Sequence, residues 1–143
     1  MDLEFLEIKS VVNSIARRRG VYPPEAYYFT IDALNRIAEN LIVRRHLSGS
    51  ELLKEIVWLA HEKFGRMAVN VFDQWGISHT KDFGVIVYHL IDEGLLSKTE
   101  DDDLKDFEDV FDLSEALVEE AWRQKWRVEV PGRGIFLKGP FFD

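Results

Sequence analysis

Four histidines, His46, His61, His79 and His89, are the side chains best suited to proton transfer or metal binding near neutral pH. His61-Glu62 opens as a zinc-protease helix does, but Gly65 stands one helical turn on, where the second histidine must be. His89 and Glu93 share a helix face at i, i+4, and His79 lies three residues before Asp82. One such pair gives too few ligands for zinc. Together, His79, Asp82, His89 and Glu93 are the best candidate group for a small enzyme or a metal-binding protein. The acidic run Glu100 to Asp103 lacks the glycine and the spaced closing acid of a calcium loop and reads as a solvated turn. Asp82-Phe83-Gly84 falls inside a helical pattern, without the other parts of a kinase. No phosphate-cradling glycine loop or Gly-x-Ser-x-Gly elbow occurs, and the lack of cysteine excludes disulfides, thiolate zinc sites and thiol nucleophiles. The sequence therefore assigns no catalytic residue, metal ligand or cofactor.

Another chemistry is suggested by "WGISHTKDFGVIVYHLIDEGLL", residues 75–96. A helix end, a glycine turn, a longer helix and a final Gly-Leu-Leu have the rhythm of a helix-turn-helix, the winged kind included. A DNA reader needs a face that tolerates phosphate and carries base-edge donors. The helix from Thr80 to Gly94 is expected to expose His79, Lys81, Asp82, Val85, Tyr88, His89 and Asp92, with one firm cation among them. The net charge of −8 is concentrated there: residues 73–115 hold 3 basic and 13 acidic side chains. Such a segment repels phosphate, which supplies most non-specific DNA affinity. Phe72 is a second departure, because tight helix-turn-helix crossings favour a small residue four before the turn glycine.

The elements that must position these residues follow from periodicity and caps. Length, 143 residues, and 46% hydrophobic composition suit one globular domain. A first helix is predicted from Asp2 to Arg19, acidic at its start and closed by Arg17, Arg18 and Arg19 before Gly20. The arginine triplet compensates the helix end rather than binding phosphate. A second helix starts near Pro24. Ser48 and Glu51 form a capping box, with Leu47 and Leu52 as its hydrophobic staple, and open a third. A fourth spans Arg66 to Trp75, with Met67, Ala68, Val71, Phe72 and Trp75 inward. The fifth buries Phe83, Ile86, Val87, Leu90 and Ile91. Beyond it, Leu95–Lys98 and the alternating Phe107–Phe111 are expected to form an acidic β-hairpin, the wing. A helix near 114–124 and a hairpin of Trp126–Val130 with Ile135–Leu137 complete the chain.

The fold expected is mainly α (α+β). Residues 1–125 form one helical domain, with a winged-helix-like helix-turn-helix at 66–94 and the acidic hairpin at 95–112. Residues 126–143 form a C-terminal hairpin and tail. The N-terminus has no basic leader and no apolar run approaches the ~20 residues of a membrane span. A cytoplasmic protein without membrane attachment is expected.

The stretch "GRMAVNVFDQWGISHTKDFGVIVYHLIDEGLLSKTEDDDLKDFEDVFD" with its "WGI", "DFG" and "GLLSKTEDD" pieces resembles a bacterial family of small conserved hypothetical proteins, over about residues 3–120. The resemblance implies a fold and a bacterial distribution, and it brings no catalytic residues. The residues themselves point to a non-catalytic protein-binding or regulatory module. Its expected recognition face comprises His79, Lys81, Val85, Tyr88 and His89 of the fifth helix with Trp126, Phe141 and Phe142 of the tail. The partner expected is a protein or a second copy of the chain, and the acidic charge disfavours nucleic acid. Gly84 raises a separate question, since glycine inside a helix costs about 1 kcal/mol relative to alanine. Either a partner approaches it closely, or the helix packs tightly there on the second or third helix.

Overall fold

The computed structural model describes residues 3–41, 47–98, 102–118 and 135–137. Helix α1 covers Leu3–Arg19, α2 Pro24–Asn40 and α3 Gly49–Phe64. A 3-10 turn, Gly65–Met67, leads into α4 (Ala68–Gln74), and α5 follows at Thr80–Asp92. Strand β1 is Leu96–Lys98, a second 3-10 turn is Leu104–Phe107, α6 is Leu113–Val118 and strand β2 is Ile135–Leu137. The architecture is mainly helical, and no helix among the described residues is long and apolar enough to cross a membrane.

Local signals set most boundaries. Gly20 takes a φ of +66° at the end of α1, a left-handed conformation that glycine adopts without penalty. Pro24 sits in the first turn of α2. Ser48 Oγ accepts from Glu51 N–H at 3.1 Å while Glu51 Oε1 accepts from Ser48 N–H at 3.1 Å, the reciprocal box expected from the sequence. Leu47 and Leu52 are both fully buried beside it. The arginines ending α1 turn to the C-terminal end of α5: Arg18 bonds Glu93 at 2.5 Å and Arg19 bonds Asp92 at 3.3 Å.

The core lies where α2, α3 and α5 meet, around Tyr27, Leu34, Leu53, Ile56, Phe83 and Ile86. Phe72, too large for a tight helix-turn-helix crossing, is 1% exposed. An aromatic cluster accommodates it: its ring lies 5.3 Å from Phe83, 5.6 Å from Phe29 and 5.6 Å from Trp75. Met67, expected inward, is 56% exposed. The 3-10 turn over 65–67 shifts the helical phase, so the inward stripe of α4 begins at Ala68.

The acidic hairpin is corrected by the structure. β1 pairs antiparallel with β2, Leu96 opposite Leu137, Ser97 opposite Phe136 and Lys98 opposite Ile135. Residues 107–111 form no strand. Two local forces hold them otherwise. Asp103 Oδ1 accepts from Lys105 N–H at 3.1 Å and Asp106 Oδ2 from Asp103 N–H at 3.0 Å, which caps the turn 104–107. The ring of Phe107 then enters a slot between two glycines. A Cβ on Gly84 would stand 2.7 Å from Phe107 Cβ, and one on Gly49 would stand 3.3 Å from Phe107 Cζ. Gly84 therefore serves neither a foreign partner nor close packing on α2 or α3; it admits the chain's own acidic segment. The expected strand 126–130, and the expected helix beyond Val118, lie outside the described residues.

Candidate functional site

The turn between α4 and α5 is built by its backbone. Gly76 takes φ +77° and Ile77 N–H donates to Phe72 C=O at 2.9 Å, which drives Ile77 inward. Asp82 anchors the start of α5. Its Oδ2 accepts from Ser78 N–H at 2.9 Å and His79 N–H at 3.0 Å, and its Oδ1 accepts from Tyr22 O–H at 2.6 Å. Burial, then the bond to this carboxylate, pushes the Tyr22 hydroxyl well above its usual titration range. Buried Thr80 ties the helix to the acidic segment: its hydroxyl donates to Phe107 C=O at 2.6 Å and accepts from Val110 N–H at 3.3 Å.

Between α4, this turn, residues 109–114 and α6 lies a cleft of about 520 Å³. Its floor is apolar, with Phe72, Ile77, Leu113 and Leu117. Its rim carries Asp73, Asp109 and Asp112 beside Ser78, His79 and Ser114. Asp112 caps α6, accepting from Ser114 O–H at 2.7 Å and Glu115 N–H at 3.1 Å. Those bonds, the Ser114 one foremost, hold its carboxyl below the usual carboxylate range, and His79 adds to the effect. His79 Nδ1 and Ser78 Oγ are 2.8 Å apart. A serine beside an imidazole has the parts of a nucleophile and base. Among the described residues, however, no carboxylate bonds the His79 ring to orient it, as such a pair needs.

The expected residues separate. Ten residues at ~1.5 Å rise put His79 and His89 about 15 Å apart along the helix. His79 and Asp82 belong to the cleft end of α5. His89 and Glu93 belong to the far end, where Glu93 is held by Arg18. His89 Nδ1 lies 2.7 Å from the Tyr27 hydroxyl. Burial lowers the His89 pKa, with Arg19 adding to the shift, and raises that of Tyr27 to about 12. A neutral imidazole accepting a hydrogen bond from the phenol O–H fits both directions. Among the described residues no group of three or more His, Asp or Glu side chains is placed to hold a metal ion.

Of the expected recognition face, His79 and Lys81 are exposed. Lys81 Nζ lies 3.7 Å from Glu108 Oε1. Val85 and Tyr88, expected outside the buried stripe, are half-buried and packed against the core. The reason is that α5 is covered by α2, by β1 and by the turn 104–107 at once, so its buried sector is wider than a single stripe. Trp126, Phe141 and Phe142 lie outside the described residues. The cleft itself escaped sequence reasoning, because its two walls, 69–80 and 109–117, meet only once Phe107 is docked. Comparison with protein-family models, curated proteins and solved structures finds no match for this chain.

Proposed function

We propose that this chain is a non-catalytic protein-binding or regulatory module on a winged-helix-like fold. In that description α4 and α5 are the helix-turn-helix, β1 and β2 are the strands that follow it, and the acidic segment fills the wing's place. The observation that carries the reading is the docking of Phe107 against Gly84. It fixes an anionic segment beside the helix that would otherwise enter a DNA groove. Lys81, the lysine of that helix, faces Glu108 of the same segment. A fixed anionic surface attracts a basic protein and speeds encounter, while it repels phosphate. The partner is a protein or a second copy, met by the exposed cleft end of α5 and its acidic surroundings.

The test pairs two measurements. A mobility-shift titration with duplex DNA at ~0.15 M salt should show no complex over the ~10⁻⁶–10⁻⁴ M range of non-specific binders. Cross-linking in the native host with mass spectrometry, alongside sedimentation, should yield a stoichiometric protein partner or a dimer. Micromolar DNA binding that weakens steeply with added salt would overturn the proposal and direct attention to Arg17 and Arg66.

A further inference from the structure

We infer that the cleft between α4, the α4–α5 turn and α6 is the docking place, and that it takes a short basic amphipathic segment of a partner protein. The inference rests on the protein-binding reading and names its site. Three features support it. The cleft, about 520 Å³, falls in the size range of built binding sites. Its floor is apolar while its rim is anionic, which matches the two halves of an arginine or lysine side chain: an aliphatic stem to bury and a charged head to satisfy. The third feature is the distribution of ion pairs. Several acids elsewhere have cations: Glu93 and Asp92 face Arg18 and Arg19, Glu55 and Glu62 face Arg36, Asp32 faces Lys63 and Glu108 faces Lys81. Among the described residues, Asp73, Asp109 and Asp112 form no ion pair. The rim thus presents carboxylates without ion pairs over apolar surface, and the hydrogen bonds to Asp112, the Ser114 one foremost, lower its pKa. Arginine suits the site best, since its planar fork meets carboxylates with paired hydrogen bonds.

The test uses the ¹⁵N-labelled full chain and two acetylated, amidated heptapeptides. One places leucine and arginine in amphipathic helical order; the other has glutamate in place of arginine. The arginine peptide should shift the amides of residues 77–80 and 109–114, and the glutamate peptide should not. The triple variant D73N/D109N/D112N should lose about tenfold or more in affinity, the combined effect of three partly screened charge contacts. Asparagine can cap α6 at 112 and tolerates the φ of +47° at 109, so the variant keeps its fold, and its circular dichroism checks this. Shifts that map elsewhere, equal binding of both peptides or undiminished binding by the variant would overturn the inference. If the substitutions alone move the amides of Arg123 to Arg127, the occupant is the chain's own tail. If they dissolve a dimer, it is a second copy. Either result removes the partner segment. A captured protein kept equally by the variant removes the cleft and leaves the protein-binding reading standing. Cleft binding of the arginine peptide with no protein partner or dimer found leaves the cleft's chemistry and removes that reading.

Discussion

Replacing Gly84 with alanine sets two effects of known size against each other. Alanine is better than glycine inside a helix by about 1 kcal/mol. The new Cβ, however, would meet Phe107 Cβ at 2.7 Å, Phe107 Cγ at 2.8 Å and Leu104 Cδ1 at 2.9 Å. The leucine methyl can rotate aside. Phe107 cannot retreat, because its ring edge already abuts Gly49 and its backbone is held by the Thr80 hydroxyl. Overpacking of this kind costs about 1–3 kcal/mol, and more where the backbone must move. With contacts this short and Phe107 held, the cost falls in the upper part of that range, about 2–3 kcal/mol, so repulsion wins and Gly84→Ala should destabilise by about 1–2 kcal/mol net, a fall in Tm of roughly 3–8 °C for a domain of this size. Phe107→Ala alone should cost about 3–5 kcal/mol through the cavity it leaves. In that background the turn is no longer wedged against Gly49, so adding Gly84→Ala should cost less than about 0.5 kcal/mol, a coupling of about 1 kcal/mol or more. Urea unfolding of the four proteins reads the cycle, with midpoints compared at constant slope. If Gly84→Ala stabilises the parent, or costs the same in both backgrounds, the slot for Phe107 is not what selects glycine.

Thr80→Val keeps the shape of a side chain that is 1% exposed but strands Phe107 C=O and Val110 N–H. It should cost about 1–3 kcal/mol in urea unfolding, whereas Thr80→Ser, which retains the hydroxyl, should cost clearly less. His89 sets a pH dependence. Its pKa in the folded chain lies below the ordinary 6.5, so the unfolded chain takes up the proton first as pH falls. Its contribution is present above pH 6.5 and is lost toward the depressed folded value, with a slope of at most about 1.4 kcal/mol per pH unit. Subtracting the stability curve of His89→Gln from that of the parent should isolate a loss confined to that acidic window; a flat difference would contradict the neutral His89–Tyr27 pair.

The helices were legible because their signals are local. Ser48 and Glu51, Pro24 and Gly20 act within one turn of chain, and the structure uses each as its chemistry suggests. The same logic stood unused at Asp103 and Asp106, which cap the turn 104–107 as Ser48 and Glu51 cap α3. Alternation across Phe107–Phe111 pointed to a strand instead. Alternation records which side chains seek burial, but not whether a sheet or two glycines in distant helices will bury them. The pairing of Leu96 with Leu137 is non-local in the same way. So is the burial of Val85 and Tyr88, which depends on what covers α5 rather than on its own period. Of the site, the acidic charge and the exposed start of α5 were readable, while the cleft needed both walls brought together.

Anchoring also decides what the charge can do. Residues 73–115 carry 13 acids against 3 bases, and an acidic loop on a loose tether could swing aside to let a helix reach phosphate. This one is not loosely tethered. Phe107 is 2% exposed in its slot, and Thr80 holds the segment's backbone from both sides. Displacing the segment would expose that ring, at a cost of the order of the ~3–5 kcal/mol of its deletion, and would break the Thr80 bonds as well. The neighbouring helix has little to offer in return, since the cation on its outer face is paired with Glu108 and His89 is engaged by Tyr27. On the proposed reading the winged-helix-like frame and the DNA-binding habit of such frames come apart at one contact, the phenylalanine seated on Gly84. That contact turns a surface that would have to be cationic into one that is anionic and held in place.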